Sequence, residues 1–260
     1  MFAGIDIGSV TTKAVIINQQ GKIEAYSQIP TNSDRRKSGE DVFESALKKI
    51  GESNKNVKYI ISTGYGRKSF TSSNQALPEI ICHARGTKSL FPAVRTIIDI
   101  GGQDSKVIEL DKKGNVIKFE MNDKCAAGTG RFLEVLTERI LNLSLEELGP
   151  LALKSKNHCN LSSICTVFAE SEIISLLSEH RTKEDIAYGI SKAIARRVVG
   201  MGISGQITFT EPIVFSGGVA RNIGVVKALN EELGREVLTP ENPQITAALG
   251  AAIFAEERCQ

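Results

Sequence analysis

Two short stretches carry the residue types that phosphate chemistry needs. Ile5 to Lys13 reads IDIGSVTTK, and Ile98 to Lys106, 93 positions later, reads IDIGGQDSK. Six of the nineteen positions from Ile5 to Ile23 are identical at that offset. In each copy an apolar run delivers an aspartate, Asp6 or Asp99, to a glycine turn. Backbone N–H groups after such a glycine are able to point at an anion. In the first copy Ser9, Val10, Thr11, Thr12 and Lys13 follow, a set suited to cradling phosphates; in the second, Gly101, Gly102 and Gln103 do the same. A carboxylate beside a phosphate repels it unless a cation intervenes, so Asp6 and Asp99 imply Mg²⁺ held partly through water. Gln103 and Asp104 are the candidates to aim a water at the terminal phosphate, because that reaction asks for positioning more than for covalent chemistry. Asp6, Asp99, Gln103 and Asp104 form the expected catalytic set.

A third glycine turn, SGGVARN, also follows an apolar run. Gly217 and Gly218 would let a flat group such as adenosine lie against the backbone, with Asn222 at its border. The chain has neither GxxxxGK[ST] nor a strand-linked GxGxxG, which excludes a P-loop and a dinucleotide fingerprint.

The five cysteines pose a separate question. None forms a CxxC pair. Cys125 stands in NDKCAAGTGRFLEVL, a small-residue loop just before an expected helix. Cys165 stands in LSSICTVFAESEIISLL, at the expected start of another helix, with Ser162 or Ser163 as candidate cap. A helix N-terminus favours the thiolate, which is the metal-binding form. Two thiolates per chain become four in a two-fold dimer, enough for one [4Fe–4S] cluster on the axis. A Zn²⁺ ion across the dimer fits the same ligand count, and spacing does not choose between them. Cys82 is expected to be buried and His83 to be a hydrogen-bonded structural residue; Cys159 and Cys259 receive no role. Glu170 is either a salt-bridging residue near the cluster helix or part of a solvated helix face.

These residues need elements to hold them. Apolar runs ending in turns predict strands at FAGIDIG, VKYIISTGYG and EPIVFSGG, and hairpins around NQQGK and DKKGN. Helical spacing predicts helices in EDVFESALKKI, GRFLEVLTERI, TVFAESEIISLLSE and KEDIAYGISKAIARRVVGMG, with a small-residue helix in QITAALGAAIFAEE. Strands and helices alternate and the β-start is duplicated, which argues for an α/β chain of two related halves. The expected halves are 1–95, joined by a C-terminal helix at 245–260, and 96–244, which carries both cluster cysteines. Net charge is +2 and charges are mixed along the 260 residues, so neither nucleic acid nor a membrane is an expected partner. With no long apolar run and no signal-peptide pattern, a cytoplasmic location is expected.

The glycine turns resemble those of the acetate and sugar kinase/Hsp70/actin superfamily. The resemblance implies duplicated ribonuclease-H-like (actin-like ATPase) domains with a central nucleotide cleft for ATP or ADP. MNDKCAAGTGRF, CTVFAESE, TGYGR and CHARG are more specific. They resemble the ATP-dependent activators of 2-hydroxyacyl-CoA dehydratases and related double-cubane cluster proteins, within the BadF/BadG/BcrA/BcrD ATPase family. That resemblance implies a homodimer holding one [4Fe–4S] cluster through Cys125 and Cys165 of each subunit. It implies ATP hydrolysis driving a single electron into a partner iron–sulfur dehydratase or reductase, with a ferredoxin or flavodoxin as donor. PQITAALGAA carries Gln244 over to the adenosine border. Two rival readings stand beside it: an amino-sugar type kinase of the same superfamily, and a non-catalytic ATP-binding regulator with structural zinc.

Overall fold

The computed structural model describes residues 1–161 and 165–259. The candidate caps Ser162 and Ser163 lie outside the described residues. The chain divides into two compact units. Unit 1 comprises Met1–Arg95, Leu110–Ile117 and Gln244–Gln260; unit 2 comprises Thr96–Glu109 and Lys118–Pro243.

Unit 1 is built on strands β1 (Phe2–Ile7), β2 (Thr11–Ile17), β3 (Ile23–Pro30), β4 (Tyr59–Thr63) and β5 (Gln75–Ala76), in sheet order β3-β2-β1-β4-β5. Strand β1 runs antiparallel to β2 and parallel to β4, and is buried along its whole length. Its side chains alternate between faces. Ala3, Ile5 and Ile7 pack with Val42, Phe43 and Leu47 of helix α1 (Arg35–Lys49). Phe2 packs instead with Ala248, Ala251 and Ala252 of helix α8 (Thr246–Glu257). Asp6 has the parity of Phe2, so its carboxylate emerges at the strand end on the α8 side. Helix α2 (Glu79–Leu90) packs tightly on α8. A Cβ on Gly250 would stand 1.8 Å from the Cys82 carbonyl oxygen, which explains the run of small residues in the last helix.

Unit 2 repeats the sheet. Its strands are β6 (Thr96–Ile100), β7 (Ser105–Leu110), β8 (Val116–Asn122), β9 (Ile213–Ser216) and β10 (Val237–Leu238), in order β10-β9-β6-β7-β8. Central β6 is antiparallel to β7 and parallel to β9, as β1 is to β2 and β4. The echo seen in the sequence is thus an echo of topology. The units differ in the crossover that follows the hairpin. In unit 1 it contains one long helix, α1. In unit 2 it runs from β8 to β9 through α3 (Gly130–Glu134), a π-helical segment over Val135–Ile140, α4 (Leu145–Ala152), α5 (Thr166–Ser178) and α6 (Lys183–Ser204). Helix α7 (Ile223–Leu233) then leads to β10. Helix α6 is the centre of this unit's core, with Ile186, Ile190, Ile194 and Val198 fully buried.

Helices α1, α5, α6 and α8 lie where sequence periodicity predicts them. Gly51, the expected stop of α1, has φ +67°, a left-handed conformation that favours glycine. The helix expected over GRFLEVLTERI is only briefly α-helical before it widens to π geometry. Helices α2 and α4 were not predicted; α4 carries a capping box between Ser144 and Glu147, a signal readable in SLEE. No helix among the described residues is long and apolar enough to cross a membrane.

Candidate functional site

The two glycine turns share one local plan. Strand register sets Asp6 opposite Lys13 and Asp99 opposite Lys106. Gly8 N–H closes the first turn on the Thr11 carbonyl at 3.1 Å, and Gly101 N–H closes the second on that of Asp104 at 2.9 Å. The next two N–H groups in each turn, those of Ser9 and Val10 and of Gly102 and Gln103, have no partner among the described residues. Each turn thus presents two open backbone donors.

The electrostatics of the turns differ. At the first, Lys13 Nζ donates to Asp6 Oδ2 at 3.0 Å, and Asp6 is 3 % exposed. Asp6 Oδ1 is buried with no hydrogen-bond partner. It faces Gly64, at the end of β4, where φ is +84° and a Cβ would stand 2.5 Å from this oxygen. Burial pushes the Asp6 carboxyl up from its ordinary value, while the Lys13 ammonium pulls it down. An orphaned carboxylate oxygen of this kind fits a metal-bound water. At the second turn, Lys106 is only 1 % exposed and donates to both Asp104 Oδ2 (2.6 Å) and Asp99 Oδ2 (3.3 Å). Ser216 Oγ donates to Asp99 Oδ1 at 2.9 Å. Both Asp99 oxygens are therefore satisfied by the protein.

Several expected phosphate-side roles change in consequence. Asp104 is buried in the Lys106 pair, whereas Gln103 is exposed. Lys13 is held by Asp6. Thr12 is fully buried, its hydroxyl 2.8 Å from that of Thr31, and it braces the turn instead of lining it. Ser9 and Thr11 are half-buried and Val10 is exposed.

At the third turn Gly217 has φ +87°, and a Cβ there would stand 2.3 Å from the Ile100 carbonyl oxygen. The close approach of β6 and β9 thus requires this glycine, whatever lies against Gly218. Gly218 begins a 3₁₀ turn through Arg221. Asn222 caps α7, its side-chain oxygen accepting from the N–H groups of Gly224 (3.0 Å) and Val225 (3.2 Å). Gln244 opens the last segment of unit 1 and is half-buried.

Both cluster candidates lie in the long crossover of unit 2. All five cysteines are unbridged; Cys125 and Cys165 are half-buried, Cys82 and Cys159 buried, and Cys259 exposed. Cys165 stands at the start of α5, as the sequence predicts, and is itself the N-cap residue, a position for which the sequence offers Ser162 or Ser163. Cys125 lies in the small-residue loop before α3, as the sequence predicts, five residues from the helix start, and Asn122 holds that loop. The Asn122 amide donates to the carbonyls of Cys125 (2.8 Å) and Ala127 (3.1 Å), and its oxygen accepts from Cys125 N–H (3.2 Å). Helix α5 packs against the π-helical segment, so the two thiol-bearing strips belong to one packed group. Outward, α5 presents Val167, Phe168 and Ile174, each more than half exposed. Glu170 is half-buried on the same helix.

The remaining titratable residues have structural explanations. Burial pushes the Cys82 thiol up to about 12, a packing cysteine. His83 is buried with Nδ1 3.1 Å from Thr246 Oγ1 and Nε2 3.3 Å from Glu79 Oε1. Cys159, given no role from the sequence, is buried and accepts from Arg181 Nε at 3.4 Å. Three site residues went unassigned from sequence: Lys106, Ser216 and Gly64. The duplicated lysine was the available signal for the first, and the glycine directly after a buried strand for the third; Ser216 offered none.

Comparison with known proteins agrees with this geometry. Residues 3–255 match the BadF/BadG/BcrA/BcrD ATPase family. The 2-hydroxyisocaproyl-CoA dehydratase activator of Clostridioides difficile is 44% identical over 252 residues, covering 97% of this chain and 93% of that one. A solved structure of an activator of this dehydratase from Clostridium difficile, with bound ADPNP, superposes with a TM-score of 0.92 at 43% identity, over 99% of this chain and 95% of that one. A ROK family glucokinase from Streptomyces griseus, in complex with glucose and AMPPNP, has a TM-score of 0.60 at 14% identity, covering 98% of this chain and 99% of that one. That last likeness is one of fold alone.

Proposed function

The chain belongs to the BadF/BadG/BcrA/BcrD ATPase family, and on that premise we propose that it is an ATP-driven activator that delivers single electrons to a partner iron–sulfur enzyme. The observation that carries this reading is the pair of half-buried, unbridged thiols, Cys125 and Cys165, in the long crossover of unit 2. A small-molecule kinase needs no such pair. Two copies of the chain supply four thiolates, the ligand count of one [4Fe–4S] cluster. The apolar outward face of α5, directly after Cys165, supports such a homodimer. When bound, the cluster supplies a low-potential one-electron carrier.

Each residue then has a task. Asn122 fixes the Cys125 loop, and α5 presents Cys165 at its N-terminus. The N–H groups of Ser9, Val10, Gly102 and Gln103 bind phosphate oxygens. Asp6, through its unpaired oxygen, would hold Mg²⁺ through water, and the ion would neutralise phosphate charge. Asp99 and Asp104, locked by Lys106, set the shape of the second turn, and Gln103 orients the attacking water. Gly217, Gly218, Asn222 and Gln244 border adenosine. A ferredoxin or flavodoxin is the donor; a 2-hydroxyacyl-CoA dehydratase or a double-cubane cluster protein is the acceptor. Nucleotide biases the protein toward its electron-donating state by no more than its differential affinity for that state. For one electron, each tenfold of that bias is worth about 59 mV.

The test is anaerobic. Protein purified without oxygen and reduced is expected to start turnover of a 2-hydroxyacyl-CoA dehydratase with Mg²⁺ and ATP, and not with ADP. Activation that ignores ATP, or phosphorylation of an added sugar, would overturn the reading.

A further inference from the structure

A cavity of about 580 Å³ lies wholly within unit 1, beside the Asp6 turn. Ser9, Thr31, Asn32, Ser33, Arg35 and Ser69 are among its lining residues, and no apolar side chain lines it. Its wall is tied to the turn by three hydrogen bonds. Thr31 N–H donates to the Val10 carbonyl at 2.8 Å, Thr31 Oγ1 donates to the Gly8 carbonyl at 3.0 Å, and the Thr12 and Thr31 hydroxyls lie 2.8 Å apart. Ser9 belongs to both the turn and the cavity.

The charges in the cavity are unevenly committed. Asp34 caps α1, its Oδ1 accepting from Lys37 N–H at 3.0 Å. Arg36 pairs with Glu40 at 3.1 Å. The Arg35 guanidinium has no partner among the described residues. One uncommitted guanidinium among hydroxyls is the chemistry that recognises an oxyanion, which the guanidinium fork meets with two parallel hydrogen bonds. Sites for small organic ligands are lined predominantly by apolar and aromatic side chains, and this one has none. The volume, set against about 30 Å³ per water in the liquid, leaves room for an anion with its hydration.

We propose that this cavity is a binding site for inorganic phosphate, which it receives from the adjacent turn as the product of ATP hydrolysis. Arg35 is its principal ligand, and Ser9, Ser33 and Ser69 supply hydroxyls. The product role rests on the ATPase reading above; binding of phosphate itself does not, and is measured without nucleotide.

The experiment is a titration of the intact, cluster-loaded protein with inorganic phosphate alone, followed by calorimetry or ³¹P line broadening. Arg35 is exposed on the first turn of α1, so its substitution leaves the core untouched. Arg35→Ala is expected to weaken phosphate about tenfold or more, the scale of one charge-assisted bond, with ADP affinity unchanged. Arg35→Lys, keeping the charge and losing the fork, should fall between the two. In steady-state ATP hydrolysis, inhibition by added phosphate should relax by the same factor in Arg35→Ala. Phosphate that does not bind, or binds equally to wild type and Arg35→Ala, overturns the proposal. If hydrolysis is absent yet phosphate binds through Arg35, the site stands and the ATPase reading falls; if hydrolysis is present and phosphate ignores Arg35, the site alone falls.

Discussion

At the Asp6 turn one lysine meets one aspartate; at the Asp99 turn one lysine meets two. The strand register is the same, Asp6 opposite Lys13 and Asp99 opposite Lys106. The addition of Asp104 and Ser216 changes what the site is able to do. In the first turn a carboxylate oxygen remains buried without a partner, a state costly unless a ligand completes it. In the second, every carboxylate oxygen of Asp99 is occupied. Duplication thus yields one turn with an open carboxylate oxygen and one whose Asp99 the protein itself satisfies. The same asymmetry recurs in the crossovers, where the first unit needs one helix and the second spends more than eighty residues and both candidate ligand thiols.

Substitutions should separate the two regions. The largest effect is expected in the long crossover: Cys125→Ala or Cys165→Ala should bring iron to background and abolish dehydratase activation, while ATP hydrolysis persists. Iron analysis beside a phosphate-release assay reads both. Next, Asp6→Asn should lower hydrolysis by about 10²–10³-fold, the scale of one electrostatic group acting on the transition state, with little loss of thermal stability. Asp99→Asn should do the reverse, costing stability more than rate. If both variants lose rate alike and neither loses stability, the contrast between the turns is broken.

The lysines sharpen it further. Lys106→Met leaves two buried carboxylates beside each other, and about 3–5 kcal/mol of stability should be lost, as when a buried pair loses one partner. Lys13→Met leaves a single carboxyl already pushed up by burial, which escapes the cost by taking a proton. Its smaller deficit should shrink as pH falls, measured by denaturant unfolding across pH.

The smallest effect concerns Asp185, which clamps the crossover ahead of Cys165. Burial would raise its carboxyl, but the Asn157 and Lys156 N–H groups and the Ser155 and Thr182 hydroxyls hold it at about 2. Its folded value lies below the ordinary 3.8. The stabilisation is therefore fully present above that value and is lost as pH falls from about 4 toward 2. Asp185→Asn should lower the melting temperature at pH 7, and the gap to wild type should close near pH 2.

Much of this was legible in the sequence because it rests on local pattern. The echo of IDIGSVTTK in IDIGGQDSK announced two like sheets, and the apolar runs gave β1 and β6 as buried strands. Cys165 at a helix start followed from TVFAESE. What stayed hidden depends on contacts far apart in the chain. Ser216 reaches Asp99 across 117 residues. Asp99 meets Lys106 only through the pairing of β6 with β7. Gly217 resembled a ligand-facing glycine, and only the approach of β6 shows a packing need. Cys159 received no role because its partner, Arg181, is 22 residues away.

The most direct measurement is native mass spectrometry of the anaerobically purified protein, with iron and acid-labile sulfide counted per chain. The expected species is a dimer carrying four irons and four sulfides, dissociating to iron-free monomers in both cysteine variants. A monomer, a zinc-loaded dimer, or a Cys125→Ala protein that keeps its iron would contradict it.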